Sequence, residues 1–191
     1  MCPVQQRLFR PLTPDLWTDF ERLFGPRGAC GGCWCTFWKL RGKAYDENTG
    51  EPARQMQKSM VESGTVPGLL AFEGSEPVGW IAVEPRSAYL RLAHSRILKP
   101  VDDADVWSVT CFFVAKRARH RGLTIALLNA AVEYVKKQGG KIVEGYPVDA
   151  KKEMPAAFMY HGTAVAFLKA GFVEVARRSE TRPIMRFTIG D

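Results

Sequence analysis

Between residues 116 and 124 the chain reads Lys116-Arg117-Ala118-Arg119-His120-Arg121-Gly122-Leu123-Thr124. Arg117, Arg119, His120 and Arg121 can place up to four positive groups just before a glycine, which suits a ligand carrying several phosphate charges. Gly122 lets such a ligand approach the backbone with no Cβ in the way. A second group, Cys30-Gly31-Gly32-Cys33-Trp34-Cys35, has C-x-x-C-x-C spacing. That spacing could chelate zinc or form a redox pair, and it reads equally as buried thiols packed among Trp34, Phe37 and Trp38. Structural zinc takes four ligands, so Cys2, His94 or Cys111 would have to complete the set from far along the chain. Five cysteines, an odd number without a secretion signal, argue against a disulfide scaffold.

The basic run is flanked by elements able to position it. Residues Val106 to Val114 are almost wholly β-branched, aromatic or small, as in a strand covered on both faces. From Thr124 onward Ile125, Leu128, Val132 and Val135 recur at helical spacing, and Gly139-Gly140 closes the helix. Lys141 to Tyr146 returns to strand character, so the unit predicts two parallel strands joined by a helical crossover. The basic run and Gly122 then fall at the helix start, where unpaired backbone N–H groups and the positive end of the helix dipole favour phosphate. No G-x-x-x-x-G-K-[ST] run occurs and no G-x-G-x-x-G follows a strand, which argues against P-loop and Rossmann nucleotide sites.

Elsewhere Thr13-Pro14-Asp15 opens a first helix ending at Gly25-Pro26, and a second is expected over about Pro52 to Ser63. Leu69–Glu73 and Val78–Val83 read as a hairpin, residues 84–105 as irregular, Thr163–Ala170 as a short helix, and Phe172–Arg177 with Ile184–Ile189 as a closing hairpin. The 191 residues, 46% hydrophobic and 25% charged, suit one domain spanning 1–191. No apolar signal region or membrane-length run is present, so a cytoplasmic location is expected. The net charge of +7 fits nucleic acid, a polyphosphate cofactor or an acidic substrate, but the basic residues are dispersed outside 116–121 and are not interleaved with aromatics, which speaks against nucleic acid.

These motifs resemble the GNAT superfamily of acyl-coenzyme A N-acyltransferases. Its R/Q-x-x-G-x-G/A signature is matched by Arg119-His120-Arg121-Gly122-Leu123-Thr124, with Thr124 in place of the usual small residue. Phe167-Leu-Lys-Ala-Gly171-Phe172 is similar to the family's Y-x-x-x-G-F segment, with Phe167 where many members have tyrosine. The resemblance covers about residues 68–189. It implies a mixed α/β fold with a strongly twisted central sheet of about six to seven strands flanked by helices. It also implies acetyl-coenzyme A as co-substrate, its arm paired with the backbone of Phe112, Phe113 and Val114 and its pyrophosphate on Arg119, His120, Arg121, Gly122, Leu123 and Thr124, with Phe167 alongside.

The implied reaction is direct attack of an acceptor amine on the thioester, with a base to deprotonate the amine and a donor for the oxyanion. Histone-type members carry a glutamate base on the central strand, and Ser108 takes that place here. Glu84 and Glu144 are the replacement candidates, each of which reads equally as structural. Tyr160 is the candidate acid, with Tyr146, His161 and Asp149 behind it, unless the thiolate leaves unaided, as a thiol with a pKa near that of cysteine, about 8.5, can do. Acceptor specificity is expected from residues 25–50, 85–105 and a loop from Pro147 to Gly162 that could act as a lid. The expected partners are acetyl-coenzyme A and an amine acceptor, with a homodimer left open. Two rival readings are a non-catalytic acyl-coenzyme A sensor and a metal or thiol-redox protein using Cys30, Cys33 and Cys35.

Overall fold

The computed structural model describes residues 7–149 and 160–190. Cys2 and most of the expected lid, residues 150–159, lie outside the described residues. Seven strands form one sheet: β1 Arg7–Pro11, β2 Gly68–Glu73, β3 Glu76–Pro85, β4 Trp107–Val114, β5 Ile142–Gly145, β6 Val173–Arg177 and β7 Pro183–Thr188, in the order β1-β2-β3-β4-β5-β7-β6. All neighbours are antiparallel except β4 and β5. Both expected hairpins form, and a helix over Leu123–Lys137 makes the crossover between the parallel pair.

Among the described residues six α-helices accompany the sheet: α1 Trp17–Phe24, α2 Lys43–Asp46, α3 Glu51–Glu62, α4 Leu90–Ala93, α5 Leu123–Lys137 and α6 Ala164–Lys169. On one face Leu127, Leu128, Ala131 and Val135 of α5 bury against Ile81, Val83 and Val109. On the other face Trp17, Phe20 and Phe24 of α1 meet Leu70, Trp80 and Ala82, with the Phe20 ring edge-on to Trp80 at 4.8 Å. Each Val, Leu, Ile or Phe side chain so removed from water contributes about 1.5–3 kcal/mol. A third cluster, Trp38, Tyr89, Leu92, Leu98, Tyr146 and Ile184, fills the space beside β5.

Three details differ from the expectation. The region 84–105 is partly ordered, because β3 continues to Pro85 and Leu90–Ala93 makes one helical turn. Lys43–Asp46 makes another, and Arg7–Pro11 adds an edge strand to β2. These pieces are too short to carry a readable period. Among the described residues no helix is long and apolar enough to cross a membrane.

Candidate active site

The centre of the site is the place where β4 and β5 part. They pair only over Trp107–Val109 and Val143–Gly145, after which β5 ends while β4 runs on to Val114. Against β3, Ala82 faces Cys111 and Val83 faces Val109, so Thr110 is an extra residue in β4 and bends the strand at the parting. The edge of β4 that β5 no longer covers is met by another part of the chain. Phe112 N–H donates to the Tyr160 carbonyl at 2.6 Å, and His161 Nδ1 lies 3.2 Å from the Thr110 carbonyl.

Registration places three polar residues in one row across the sheet. Ser108 on β4 has Glu84 of β3 opposite on one side and Glu144 of β5 opposite on the other. All three are buried. The two carboxylates differ in what they hold. Glu144 Oε1 accepts from Arg86 Nη1 at 2.9 Å and from Tyr146 Oη at 2.6 Å, and its Oε2 accepts from Arg186 Nε at 2.7 Å. Ser108 Oγ joins this network through Tyr146 Oη at 2.8 Å, and Arg186 is also paired with Asp102. Glu84 uses Oε2 alone, in a buried ion pair with Lys39 Nζ, and its Oε1 has no hydrogen bond among the described residues.

The phosphate-binding candidates assemble at the far end of β4. A 3-10 turn over Lys116–Ala118 leads to Arg119, and α5 starts behind Gly122, whose φ of 73° is left-handed. A Cβ at Gly122 would meet no atom within 4 Å, so the space in front of the helix start is open. His120, with φ of 59°, is a second left-handed residue in the turn. Among the described residues Arg119 spends only Nε, on the Val114 carbonyl at 3.1 Å. Arg121 pairs with Glu73 at 3.0 Å and Arg117 with Glu76 at 3.3 Å, so those two charges are partly balanced within the chain. Leu123 turns its side chain into the core, and Thr124 is half-buried in the first turn. Phe113 and Val114 are half-buried on β4. Phe167 is fully buried, edge-on to Phe112 at 6.1 Å and close enough to Gly145 that a Cβ there would lie 2.1 Å from its ring.

Tyr160 stands beside the parted strands, its ring 3.8 Å from His161 and 6.3 Å from Phe37. Burial, and secondarily the neighbouring Cys111, pushes its phenol up to about 12. His161 is driven down to about 3, chiefly by burial and then by the Arg182 guanidinium, so its imidazole is neutral at neutral pH and Nδ1 carries the proton that faces Thr110. Tyr146 is held well above its ordinary value by burial and then by the Glu144 charge. Asp149 is paired with Arg177 at 2.8 Å.

Cys35 and Cys111 lie on the sheet face that packs against α1. Cys35 is buried and accepts from Trp80 Nε1 at 3.0 Å, while Cys33 is half-buried and Cys30 exposed. Burial, and then the neighbouring Cys35, raises the Cys33 thiol to about 12. Contact with Cys35, followed by burial, holds Cys111 well above its usual range. Thiols so raised stay protonated and are weak nucleophiles. Among the described residues no group of three His, Cys, Asp or Glu side chains could hold a metal ion. A cavity of about 950 Å³ opens on the α1 side between Glu21, Trp34 and Arg54, and its lining includes neither β4 nor residues 119–124.

Sequence reasoning did not find Lys39, Arg86, Arg186 or the Tyr160 carbonyl. Lys39 had a signal: it is a lone charge in the aromatic run Phe37-Trp38-Lys39-Leu40. The arginines had none beyond composition, and a main-chain carbonyl is not marked by residue type.

The fold is shared with solved acetyltransferases. GNAT-family enzymes from Listeria monocytogenes 4b F2365 and Streptococcus agalactiae 2603 superpose with TM-scores of 0.60 and 0.58, at 8% and 13% identity, over 99% and 98% of this chain and 98% of each of theirs. The PaiA N-acetyltransferase of Thermoplasma acidophilum, crystallised in complex with coenzyme A, matches with a TM-score of 0.54 and 14% identity over 96% of this chain and 99% of its own. No protein of curated function matches the sequence. The model of the acetyltransferase (GNAT) family matches residues 34–172, most of the chain, which therefore belongs to that family of acyltransferases, whose co-substrate is acetyl-coenzyme A.

Proposed function

We propose that the protein transfers the acetyl group of acetyl-coenzyme A to a primary amine, with Glu84 as the base. The observation that carries this reading is the row Glu84, Ser108, Glu144: the position that holds a glutamate in histone-type relatives is flanked by two carboxylates, and of the two only Glu84 keeps an oxygen with no hydrogen bond among the described residues. An alkyl ammonium has a pKa near 10.4, so it must lose a proton before it can attack. Glu84 Oε1 accepts that proton, directly or through one water, while Lys39 fixes the carboxylate through Oε2. The amine nitrogen then bonds to the thioester carbonyl carbon, the carbon–sulfur bond breaks, and the sulfur leaves as coenzyme A thiolate.

The residues present fit the co-substrate. The α5 start with Gly122, and the two free Nη groups of Arg119, suit the pyrophosphate. The uncovered edge of β4 suits the arm, and Phe112 N–H suits the developing oxyanion once the Tyr160 carbonyl gives it up. Phe167 serves as the floor beneath Phe112. Tyr160 serves as a wall: passing its proton from a phenol at about 12 to a thiolate whose acid lies near 8.5 is uphill by about 5 kcal/mol.

Incubation with acetyl-coenzyme A and a panel of primary amines, read as released thiol and as acetylated product mass, tests the proposal. An acetamide product is expected. Cofactor binding without transfer to any amine would instead support the sensor reading.

A further inference from the structure

Three arginines with little exposure are matched with acids: Arg86 with Glu144, Arg186 with Glu144 and Asp102, Arg54 with Glu21 and Glu51. Arg182, at the turn between β6 and β7, departs from this pattern. Among the described residues no carboxylate pairs with it; Nη2 reaches the Tyr146 carbonyl at 3.2 Å, and Nε is buried with no partner. Tyr146 directly follows the last residue of β5, so this contact sets Arg182 beside the parting of β4 and β5. His161, whose ring is neutral or cationic and never anionic near neutral pH, offers no counter-charge. From Tyr160 an aromatic shelf continues through Phe37, 6.3 Å away, to Tyr45, 5.3 Å beyond. Arg91, lying 4.0 Å over Phe37 and 5.0 Å over Tyr45, likewise has no carboxylate partner among the described residues.

A guanidinium withdrawn from water without a counter-ion costs free energy. A site that keeps such a group beside its reacting centre is complete when a ligand supplies the anion. The planar fork of Arg matches a carboxylate.

We propose that the acceptor is an amino acid or peptide-like amine that also bears a carboxylate, and that Arg182 pairs with that carboxylate while the amine is acetylated. The inference rests on the amine-acetylation reading above. Arg182 thus acts as a specificity-determining residue: the carboxylate is bound and unchanged, and the only bonds that form and break are those of acetyl transfer.

The test uses the full chain, acetyl-coenzyme A and matched acceptors: α-amino acids and ω-amino acids of increasing length, each beside its carboxamide. The readout is the ratio of kcat/KM for acid over amide. For the wild type at least one acid should exceed its amide by about tenfold or more. In Arg182→Gln that ratio should fall towards one while turnover of the amide is kept; Arg182→Lys, which retains charge but loses the fork, should fall between. A structural role for Arg182 would instead lower acid and amide in proportion and leave the ratio unchanged, which overturns the inference. So would a wild type that binds acetyl-coenzyme A and acetylates amides as well as acids, with the amine-acetylation reading intact. Absence of acetyl-coenzyme A binding by calorimetry would overturn both. If Arg182→Gln does not fold, the wild-type ratio and Arg182→Lys still decide.

Discussion

The Tyr160 carbonyl accepts a hydrogen bond of 2.6 Å from the Phe112 amide, across the edge of β4 that β5 leaves uncovered. What Tyr160 contributes there is main chain, and its phenol, at about 12, is a poor acid for a leaving thiolate. Tyr160→Phe should therefore keep acetyl-coenzyme A affinity and lower kcat by less than about tenfold. Thiol-release kinetics check this; a loss of about a hundredfold or more with binding intact would make the phenol the acid.

Glu84→Gln should lower kcat by about 10²–10⁴-fold, the range for losing a general base. It also leaves Lys39 buried without its partner, which should cost about 3–5 kcal/mol in chemical denaturation. Pairing it with Lys39→Met removes the orphaned charge. The double variant should regain stability and stay inactive; turnover returning with stability would mean that Glu84 acts only through the fold.

Glu144→Gln should behave in the opposite way. Both of its oxygens are occupied by Arg86, Tyr146 and Arg186, so the substitution should cost about 3 kcal/mol or more. The kcat of the folded fraction should stay within about threefold of wild type, as for a group outside the chemistry. A stable but inactive Glu144→Gln would transfer the base role to Glu144.

His161 gives a pH dependence of definite sign. Its folded value of about 3 lies below the ordinary 6.5, so the unfolded chain binds a proton that the folded chain refuses. The contribution is present in full above 6.5 and is lost as pH falls towards 3, amounting to about 2 kcal/mol by pH 5. Denaturation at pH 7 and pH 5 should show this loss in the wild type and much less of it in His161→Asn. Equal losses would place the effect elsewhere.

The unit from β4 through α5 to β5 was legible because its apolar periods are long and Gly122 and Gly139 mark both helix ends. Glu84 and Glu144 could be named as candidates, but not chosen between. Their difference is a matter of cross-strand register and of arginines 42 to 58 positions away along the chain, which no local spacing encodes. The same holds for Arg182, whose distinction is that no carboxylate among the described residues pairs with it. The extra residue at Thr110 was hidden too, since one inserted residue leaves the apolar character of the strand unchanged.

The central claim is that acetyl-coenzyme A lies along β4 with its pyrophosphate at the start of α5. Calorimetric titration of acetyl-coenzyme A into the wild type, Gly122→Trp and Gly139→Trp tests it most directly. Both glycines are left-handed, with φ of 73° and 79°, and a Cβ at either meets no atom within 4 Å, so both substitutions carry a similar backbone strain of about 1–2 kcal/mol. One site with micromolar affinity is expected in the wild type and in Gly139→Trp, and none in Gly122→Trp. Unchanged affinity in Gly122→Trp, or no binding by the wild type, would contradict the account.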